Sequence, residues 1–403
     1  MTVNKNKQRI IIVGAGFAGI KAALTLSKFN HLFHITLISR SENFCYYPTL
    51  LRTAVGGDSK LSIIPISKIL KQKDINFILG SIKTVDKKSK NITLENNSTL
   101  EYDKLILALG EVTNYFDIPG LERYSHAIKS ESQTYNFNKL LHDYLTENHT
   151  TDKNYLIIGA GATGIELAST LPAYLKFLMK RHNIHHHAIH VELIEASPTL
   201  LPRYPKDFTK IISHKLITMG VSLKLSCKVI NQGIDYIQTN NEKIESKTVV
   251  WTAGVSNNPF YKNNQFLMNN HDKVLTDIYL AADDNIFVAG DNANTPYSGL
   301  AQTALHDGHF IAKNIIRAAH NKSYLPYKPK KPITVISVGP FWGAVLWGNI
   351  RLYGLIGAIL RQLADIEGYR NILPLNQAIM LWLNNFKKQS RKCNFCDITS
   401  LKK

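Results

Sequence analysis

Short, continuously apolar runs alternate with helical stretches along the first part of the chain. Arg9 to Val13 is a β-branched run typical of a buried strand, and a glycine-rich turn follows it. The next residues have helical periodicity to about Phe29, and Ile35 to Ser39 is a second apolar run. Strand, helix and strand in this order predict one β-α-β unit.

The same pattern begins again in the middle of the chain. Tyr155 to Ile158 is predicted to be a strand, a second glycine-rich turn and a helix from Ile165 follow it, and Val191 to Glu195 is the next strand. Two later apolar runs, Leu105 to Gly110 and Thr248 to Gly254, close the first and the second unit in corresponding ways. The repetition predicts an α/β fold with two Rossmann-like dinucleotide-binding domains.

The last part of the chain departs from this repeat. A proline-rich segment, residues 321–332, is predicted to be a linker that leads to a small C-terminal domain with amphipathic helices. The predicted elements around it are a strand over Asn285–Ala289, the dipeptide Gly290-Asp291, a helix over Ala301–Ala319, short strands over Ile333–Val338 and Ala344–Trp347, and apolar helices at about Tyr353–Ile366 and Asn376–Phe386.

Both glycine-rich turns have the pattern Gly-x-Gly-x-x-Gly. The first glycine allows a tight turn, the second lets the backbone approach a pyrophosphate, and the third permits close packing of helix on strand. The pyrophosphate then binds the unpaired N–H groups at the helix N-terminus. One such turn alone can be purely structural, but two in register with their later strands indicate two bound dinucleotides. The turns are Gly14-Ala15-Gly16-Phe17-Ala18-Gly19 and Gly159-Ala160-Gly161-Ala162-Thr163-Gly164.

The residue that ends the second strand distinguishes the two units. In the second unit it is Glu195, whose carboxylate can bind both ribose hydroxyls of NADH and repel the 2′-phosphate of NADPH. An inserted segment, Lys176 to Ala188, makes the distance from the turn longer than the usual ~20 residues. In the first unit the residue is Ser39, followed by Arg40, so the acid is absent. Ser39 or Glu42 must then contact the ribose, or Arg40 the adenosine.

Composition and charge narrow the class of protein. A hydrophobic fraction of 44% and a charged fraction of 19% are typical of globular proteins. The net charge of +18 fits either a solvated lysine-rich surface or attraction to an anionic membrane surface. We find no nucleic-acid-binding motif and expect no nucleic-acid partner. The polar N-terminus predicts no signal peptide, and the chain lacks the run of about 18 apolar residues that would predict a transmembrane helix.

Several further segments resemble one family. They are Ile38-Ser39-Arg40, Tyr47-Pro48-Thr49-Leu50-Leu51, Leu109 to Phe116, Pro119-Gly120, Gly164 to Ala168, Trp251 to Val255, Gly290-Asp291 and Ala301 to Ala304. With the glycine turns, these segments are similar to those of the type II NADH dehydrogenases, single-chain NADH:quinone oxidoreductases among the two-dinucleotide-binding-domain flavoproteins. The resemblance covers nearly the whole chain and implies a glutathione-reductase-like fold.

The resemblance implies one FAD site and one NADH site. Asp291 would bind the ribityl chain or pyrophosphate of FAD, and Pro48-Thr49 would lie near the isoalloxazine ring. The residues expected to bind FAD are Gly14, Ala15, Gly16, Phe17, Ala18, Gly19, Ser39, Arg40, Pro48, Thr49, Ala108, Gly110, Gly290, Asp291 and Ala301. The residues expected to bind NADH are Gly159, Gly161, Ala162, Thr163, Gly164, Glu195, Ala253 and Gly254.

Three residues are expected to take part in catalysis. Glu166 would face the nicotinamide and the flavin, where a carboxylate orients the nicotinamide or relays a proton; the alternative is a first-turn acid favoured by the helix dipole. The quinone-associated pattern of the family is Ala-Gln-x-Ala-x-Gln, and this chain has Gln302 but ends the pattern with His306. His306 can donate a hydrogen bond or a proton to a quinone, or be a structural histidine.

The cysteines exclude related chemistry. Four are too few for a secreted disulfide framework and fit a reducing cytoplasm. A disulfide reductase needs two cysteines beside the flavin, whereas Cys45 has no partner in its loop and Cys227 stands alone. We therefore predict that Cys45 is an ordinary loop or core residue. Cys393 and Cys396 supply only half of a tetrahedral zinc site, so we predict no metal site.

The C-terminal segment, residues 341–403, is expected to lie on the cytoplasmic face of the cell membrane. It is rich in Phe, Trp, Leu and Ile, but Arg351, Arg361 and several glycines interrupt it, which favours lying on the bilayer over spanning it. A self-packed domain or a homodimer face is the alternative. The residues suited to the interface are the aromatic Trp342, Trp347 and Trp382 and the basic Lys387, Lys388, Arg391 and Lys392.

These features together predict an FAD-dependent enzyme that passes two electrons from NADH to a membrane quinone without pumping protons. The alternatives are an NADH-dependent reductase of a soluble, ferredoxin-like carrier, and a sensor that binds flavin and NADH. We expect residues 1–116 with 280–325 to bind FAD and residues 117–279 to bind NADH. Residues 326–403 are expected to associate with the membrane or to dimerise.

Overall fold

The computed structural model describes residues 7–146, 152, 154–184 and 188–387. The strands of the first part are β1 (Gln8–Val13), β2 (Phe33–Ser39), β3 (Asn43–Cys45), β4 (Ile63–Pro65), β5 (Asn76–Leu79), β6 (Ile82–Asp86), β7 (Asn91–Leu94), β8 (Thr99–Glu101), β9 (Lys104–Leu107) and β10 (Val112–Thr113). The helices of this part are α1 (Phe17–Leu26), α2 (Tyr47–Ala54), α3 (Ile66–Ile69), α4 (Leu121–Tyr124) and α5 (Glu131–Thr146).

The middle of the chain repeats this alternation. Its strands are β11 (Asn154–Ile158), β12 (His190–Ile194), β13 (Val221–Lys224), β14 (Val229–Gln232), β15 (Tyr236–Thr239), β16 (Lys243–Glu245), β17 (Thr248–Trp251) and β18 (Val255–Ser256). Its helices are α6 (Ala162–Arg181), α7 (Lys206–Thr218) and α8 (Pro259–Asn263). The remaining elements are β19 (Ala281–Asp283), β20 (Ile286–Val288), α9 (Ala301–Ala319), β21 (Thr334–Ser337), β22 (Gly343–Trp347), β23 (Ile350–Gly354), α10 (Leu355–Arg370) and α11 (Leu375–Lys387).

The first sheet is built from two distant parts of the chain. Its order is β19-β20-β9-β1-β2-β5, and all neighbours are parallel except β19 and β20. The central strand, β1, is buried over Ile10 to Val13 because sheet neighbours flank it and α1 and α9 pack against its sheet. Strands from residues 8–107 and 281–288 therefore complete one sheet.

The second sheet repeats the topology of the first. Its order is β13-β12-β11-β17, with every pair parallel. In both sheets the first strand lies between the second strand and a much later one, and a glycine turn leads from that first strand into a helix. In both halves a three-stranded antiparallel sheet, β6-β7-β8 or β14-β15-β16, precedes the closing strand. The predicted pair of Rossmann-like domains is confirmed.

A small antiparallel sheet, β21-β22-β23, and two helices follow. The sequence pattern placed the start of the first apolar helix near Tyr353, which is wrong by two residues. Tyr353 and Gly354 are still in β23, and Gly354, with φ +74°, precedes the first turn of α10. Gly357 packs on Gly343 so closely that a Cβ atom on Gly357 would lie 2.1 Å from the Gly343 carbonyl oxygen.

Several sequence expectations concern residues outside the described part of the chain. These are the histidines at 185–187, the Cys393/Cys396 pair and the basic residues Lys388, Arg391 and Lys392. The inserted segment that begins at Lys176 is helical as far as Arg181, because α6 continues through Pro172. Among the described residues, no helix is both long enough and apolar enough to span a membrane.

Candidate active site

Two glycines of the first turn are required by the protein itself. A Cβ atom on Gly14 would lie 2.1 Å from the Ala108 carbonyl oxygen, and one on Gly19 would lie 1.8 Å from the Gly14 carbonyl oxygen. Gly14 also has φ +105°, a backbone conformation that favours glycine. The first turn is thus held between the start of α1 and the end of β9.

The second turn has the same construction. A Cβ atom on Gly159 would lie 2.6 Å from the Cα atom of Ala253, and one on Gly164 would lie 1.9 Å from the Gly159 carbonyl oxygen. Ala253 lies two residues after the end of β17, and Ala108 lies directly after β9. Packing alone therefore explains the first and third glycines of each motif.

Packing does not explain why the middle positions, Gly16 and Gly161, are glycine. A Cβ atom on either would meet no protein atom within 4 Å. Their φ angles of −79° and −73° suit any residue, so the backbone does not require glycine either. Each precedes a helix that no side chain caps at that position. An anionic ligand lying close against the helix N-terminus accounts for both features. Both turns fit a dinucleotide pyrophosphate.

Glu195 is fixed beside the second turn. It directly follows β12, and its Oε2 atom accepts a hydrogen bond of 2.8 Å from the Ala160 backbone N–H. Its Oε1 atom accepts one of 2.8 Å from the Ser197 N–H. The carboxylate is anchored to the turn by these bonds, which suits the predicted contact with the ribose hydroxyls; that contact stays a prediction.

The corresponding position of the first unit carries no acid. Ser39 ends β2, is buried, and its Oγ atom accepts a 3.3 Å hydrogen bond from the Ser41 N–H. Arg40 is exposed. Contacts of Ser39 or Arg40 with a nucleotide stay a prediction.

The Gly290-Asp291 dipeptide adjoins a buried carboxyl group that the sequence reading missed. Gly290 has φ +72°, and its N–H donates a 3.1 Å hydrogen bond to Oδ2 of the fully buried Asp307. The Tyr327 hydroxyl donates to Oδ1 at 2.6 Å. Burial raises the pKa of Asp307 to about 7, although both hydrogen bonds act to lower it. The sequence did contain a signal for this buried carboxyl group: it is an acid in the apolar stripe of α9, four residues before Ile311.

Asp291 itself lies in a charged surrounding. Its Oδ1 atom accepts a 3.0 Å hydrogen bond from the Gly299 N–H. Burial raises the pKa of the Asp291 carboxyl, and the nearby charge of Glu111 raises it further. The hydrogen bond from Gly299 and the positive charge of Lys273 act in the opposite direction on this pKa. Lys273 also pairs with Glu111 at 2.6 Å and donates to the Asp291 carbonyl oxygen. A group rich in hydroxyls, such as a ribityl chain, suits such a carboxylate.

Pro48 and Thr49 lie in the first turn of α2. Thr49 is fully buried, and its hydroxyl donates a 3.0 Å hydrogen bond to the Leu61 carbonyl oxygen. The Pro48 carbonyl oxygen accepts a 2.6 Å hydrogen bond from Arg361 of α10. The position of α2 thus depends on the C-terminal part of the chain.

The side chains of Gln302 and His306 both contact the segment that leads out of α9. The Gln302 amide donates to the Ile333 carbonyl oxygen at 2.9 Å and accepts from the Ile333 N–H at 3.2 Å. The His306 Nε2 atom lies 2.9 Å from the Lys328 carbonyl oxygen. The two side chains share one face of α9, and the structural role considered for His306 has a definite partner.

Glu166 lies just beyond the first turn of α6, which contains no acid, so the alternative of a first-turn acid favoured by the helix dipole is wrong. Its Oε1 atom accepts a 3.1 Å hydrogen bond from the Ser337 N–H and is 3.7 Å from the Arg361 Nε atom. The carboxylate is therefore between the second dinucleotide turn and the C-terminal part of the chain. Its predicted role at the nicotinamide stays a prediction.

The fold and the two ligand-dependent turns define a protein with two dinucleotide-binding domains. Residues 8–308 match the family model of the pyridine nucleotide-disulphide oxidoreductases, and the chain belongs to this family. Cys45 and Cys227 do not form a disulfide in the described part of the chain, and burial raises the pKa of the Cys45 thiol to about 12. Cys45 is a half-buried residue of β3, next to the site.

Comparison of the whole chain with known proteins identifies relatives of one kind. The chain is 24% identical over 384 residues to a type II NADH:quinone oxidoreductase of Staphylococcus aureus (strain MSSA476), covering 90% of this chain and 95% of that protein. A protein of the same name from Staphylococcus epidermidis is 25% identical over 384 residues, with the same coverage. The resemblance to type II NADH dehydrogenases seen in the motifs is thus confirmed.

Solved structures share the fold. NDH2 from Plasmodium falciparum in complex with NADH has a TM-score of 0.83 at 17% identity, covering 96% of this chain and 100% of that one. The sulfide:quinone oxidoreductase of Aquifex aeolicus has a TM-score of 0.75 at 16% identity, covering 91% and 92%. The first match extends over both dinucleotide-binding domains and the C-terminal part.

Proposed function

We propose that this chain is an FAD-dependent NADH:quinone oxidoreductase that does not pump protons. The observation that carries the proposal is the pair of middle glycines, Gly16 and Gly161, which a ligand requires and the protein does not. The curated relatives, which match over most of both chains, are named for this activity.

The reaction consumes NADH, a proton and a quinone, and it yields NAD⁺ and a quinol. FAD supplies the chemistry, since it accepts a hydride and passes on two electrons, while the protein supplies binding and orientation. Glu195 holds the ribose of NADH, and Glu166 orients the nicotinamide. Gln302, through the amide hydrogen not bonded to Ile333, and His306, through the ring nitrogen that does not face Lys328, donate hydrogen bonds at the quinone. The C-terminal segment, residues 326–403, brings the site to the quinone.

The division into three domains belongs to the proposal. Residues 1–116 with 280–325 bind FAD and residues 117–279 bind NADH. Two observations support this: strands from within residues 8–107 and 281–288 share one mainly parallel sheet, and strands from within residues 154–251 form the second parallel sheet. The short antiparallel pair β10 and β18 links the two halves.

A membrane surface is the proposed partner of the C-terminal part, because α10 is amphipathic in the reverse of the usual sense. Its buried face contains Gly357, Arg361, Asp365 and Tyr369. Its exposed face contains Leu355, Ile356, Ile359 and Leu363, each at least half exposed. A soluble helix normally has its apolar stripe inside. The exposed apolar side of α10 is therefore suited to contact with an apolar environment.

Neighbouring elements extend this surface. The exposed apolar residues outside α10 are Phe341, Trp347 and Ile350 near the β22-β23 hairpin and Leu375, Ile379, Met380 and Leu383 on α11. The net charge of +18 favours an anionic lipid surface, and a lipid-soluble quinone must be reached from its own phase. We place the enzyme peripherally on the cytoplasmic face of the cell membrane. A homodimer through the same surface is the competing outcome.

One assay series tests the activity. Purified protein should be yellow, its flavin should be bleached by NADH, and a short-chain quinone should reoxidise it rapidly. Fast reoxidation by a ferredoxin-like protein but not by the quinone would support the soluble-carrier alternative. Slow reoxidation by both acceptors, with a long-lived NADH complex, would support a sensor.

A further inference from the structure

Asp365 of α10 is a buried carboxylate between two arginines. It is fully buried, and Arg361, one turn earlier, is 6% exposed. The Asp365 Oδ1 atom pairs with the Arg361 guanidinium, and its Oδ2 atom lies 3.4 Å from Arg52. Each carboxylate oxygen thus contacts one arginine, and Arg52 and Asp365 are 313 residues apart in the chain.

The two arginines fix the helix proposed to lie beside the flavin. Arg361 donates its 2.6 Å hydrogen bond to the carbonyl oxygen of Pro48, at the start of α2. Arg52 is part of α2 itself, one turn later. Asp365 therefore restrains α2 in its first turn through Arg361 and in its last turn through Arg52.

Close packing accompanies the charged contacts. The rings of Tyr46 and Tyr369 stack with centroids 4.3 Å apart. A Cβ atom on Gly368 would lie 1.9 Å from the Tyr46 hydroxyl oxygen, so α10 approaches this segment as closely as glycine permits. Burial alone would lower the pKa of the Arg361 guanidinium, but Asp365 and Glu166 outweigh burial and raise it. Arg361 therefore stays charged.

Stability alone is a weak reason to keep such a network. Apolar residues of similar size replace many buried ion pairs without loss of stability, because desolvation offsets the attraction between the charges. Here the charged Arg361 donates to the Pro48 carbonyl oxygen, which belongs to the segment proposed to contact the isoalloxazine ring. A guanidinium held by a carboxylate offers directed donors that an apolar contact lacks.

We infer that Asp365 is a positioning residue: through Arg361 and Arg52 it holds α2 against the flavin, so that hydride transfer from NADH depends on the C-terminal helix. This inference rests on the proposed function. It also gives α10 two separate roles, with its apolar side on the membrane and its charged side on the flavin segment.

The test uses the full-length, FAD-loaded protein and the substitution Asp365→Asn. The variant keeps the shape of the side chain and leaves two arginines without their carboxylate. The matched control is Arg370→Gln, which removes an exposed ion pair with Glu367 in the same helix. Flavin reduction by NADH is followed without oxygen and without quinone, together with the visible absorption spectrum of the bound flavin and the Kd for FAD.

For Asp365→Asn we expect flavin reduction about 10- to 100-fold slower, since a small displacement of reacting groups costs this much. The NADH concentration for half-maximal rate should change by less than about twofold, because the second glycine turn and Glu195, proposed to bind the rest of the nucleotide, are unchanged. The flavin spectrum should shift, and Arg370→Gln should behave like the wild type. Rates, spectrum and FAD affinity equal to those of Arg370→Gln would overturn the inference.

Two further results have a defined meaning. If Asp365→Asn does not fold, Arg52→Gln removes only the partly exposed arginine, and a smaller decrease in rate with a spectral shift is expected; wild-type behaviour would overturn the inference. A wild-type flavin that NADH does not reduce would overturn the proposed function alone. The spectrum and FAD affinity of the variants would then still decide the positioning role.

Discussion

The carboxylate of Glu195 accepts a hydrogen bond of 2.8 Å from the backbone N–H of Ala160. This bond joins the end of β12 to the glycine turn after β11, across the two adjacent parallel strands. The acid proposed to bind the ribose is thereby tied directly to the turn proposed to bind the pyrophosphate. Recognition of the ribose and of the phosphates should consequently be lost together.

The first prediction concerns Glu195→Gln. We expect kcat/KM for NADH to fall about tenfold or more, because a charged acceptor for two hydroxyls is replaced by a neutral amide. Activity with NADPH should fall less or rise, since the charge that repels the 2′-phosphate is removed. Steady-state kinetics with both nucleotides measure this. Glu242→Gln, at an exposed ion pair of the same half, is the control. An unchanged NADH/NADPH ratio would contradict the assignment.

The middle glycines give a second prediction. Gly16→Ala should lower the FAD content of the purified protein, and Gly161→Ala should raise KM for NADH. Neither should lower Tm appreciably in protein stripped of nucleotides, because the added methyl group meets no protein atom within 4 Å. Bound flavin, KM and thermal unfolding check these outcomes.

The outer glycines provide the contrast. Gly19→Ala and Gly164→Ala place a methyl group 1.8 Å and 1.9 Å from a backbone carbonyl oxygen. Both should destabilise the protein by roughly 1–3 kcal/mol or more, as overpacking does. If the middle substitutions destabilised the protein as much as the outer ones, the ligand would not be the reason for Gly16 and Gly161.

A third prediction concerns pH and Asp307. The pKa of this carboxyl is raised to about 7, so the folded protein holds its proton more tightly than the unfolded chain does. The stability that this contributes is complete below about pH 4 and is lost as the pH rises through about 7. Asp307→Asn stays neutral. Relative to the wild type, it should gain up to about 4 kcal/mol between about pH 4 and pH 8.

Thermal or denaturant unfolding at several pH values measures this difference. Asp74→Asn, which changes an exposed carboxylate, is the control and should run parallel to the wild type. Asp307→Asn curves that also run parallel to the wild type would show that this carboxyl is ionised throughout.

A fourth prediction separates the two half-reactions at His306. We expect His306→Ala to raise KM for a short-chain quinone several-fold, of the order of one lost hydrogen bond. His306→Gln, which restores the residue type of the family pattern, should keep a near-normal KM. Anaerobic flavin reduction by NADH should be unchanged in both. A normal KM for the quinone in His306→Ala would mean that His306 has only a structural role, through its contact with Lys328.

A fifth prediction tests the membrane surface. Substituting Leu355, Ile359 and Leu363 together by serine should abolish flotation with anionic vesicles, because each buried leucine or isoleucine contributes roughly 1.5–3 kcal/mol. NADH-dependent flavin reduction should remain. Ile234→Ser, at an exposed apolar residue of the second half, is the control. Unchanged flotation, or a change from dimer to monomer instead, would overturn the membrane assignment. Point substitutions are preferable to truncation, since truncation also removes Arg361 and Asp365.

The outer glycines of each turn could be predicted from sequence because close backbone packing leaves glycine as the only residue that fits. Gly14 and Gly19 are fixed by carbonyl oxygens within about 2 Å of their would-be Cβ atoms, and such constraints appear directly in the residue pattern. The duplicated sheets followed from the same local signals.

The charged face of α10 could not be predicted in this way. Arg361 and Asp365, four residues apart, look like an ordinary exposed ion pair, and only the tertiary partners Pro48 and Arg52 show that the pair is buried. Asp307 is similar, because its burial depends on Tyr327 beyond the end of α9. The boundary between β23 and α10 was missed because apolar residues on both sides of Gly354 suit strand and helix equally.

The split first sheet has a consequence for biosynthesis. Strand β20 pairs with β9, but it is made almost two hundred residues later, after the whole second sheet. During translation, the edge of β9 stays unpaired while the inserted half emerges from the ribosome and folds. The second sheet is therefore completed before the first, which reverses the usual N-terminal-first order of folding. Restraint of α2 comes later still, with Asp365. A chain interrupted during translation would therefore present a finished nucleotide fold next to an unfinished one.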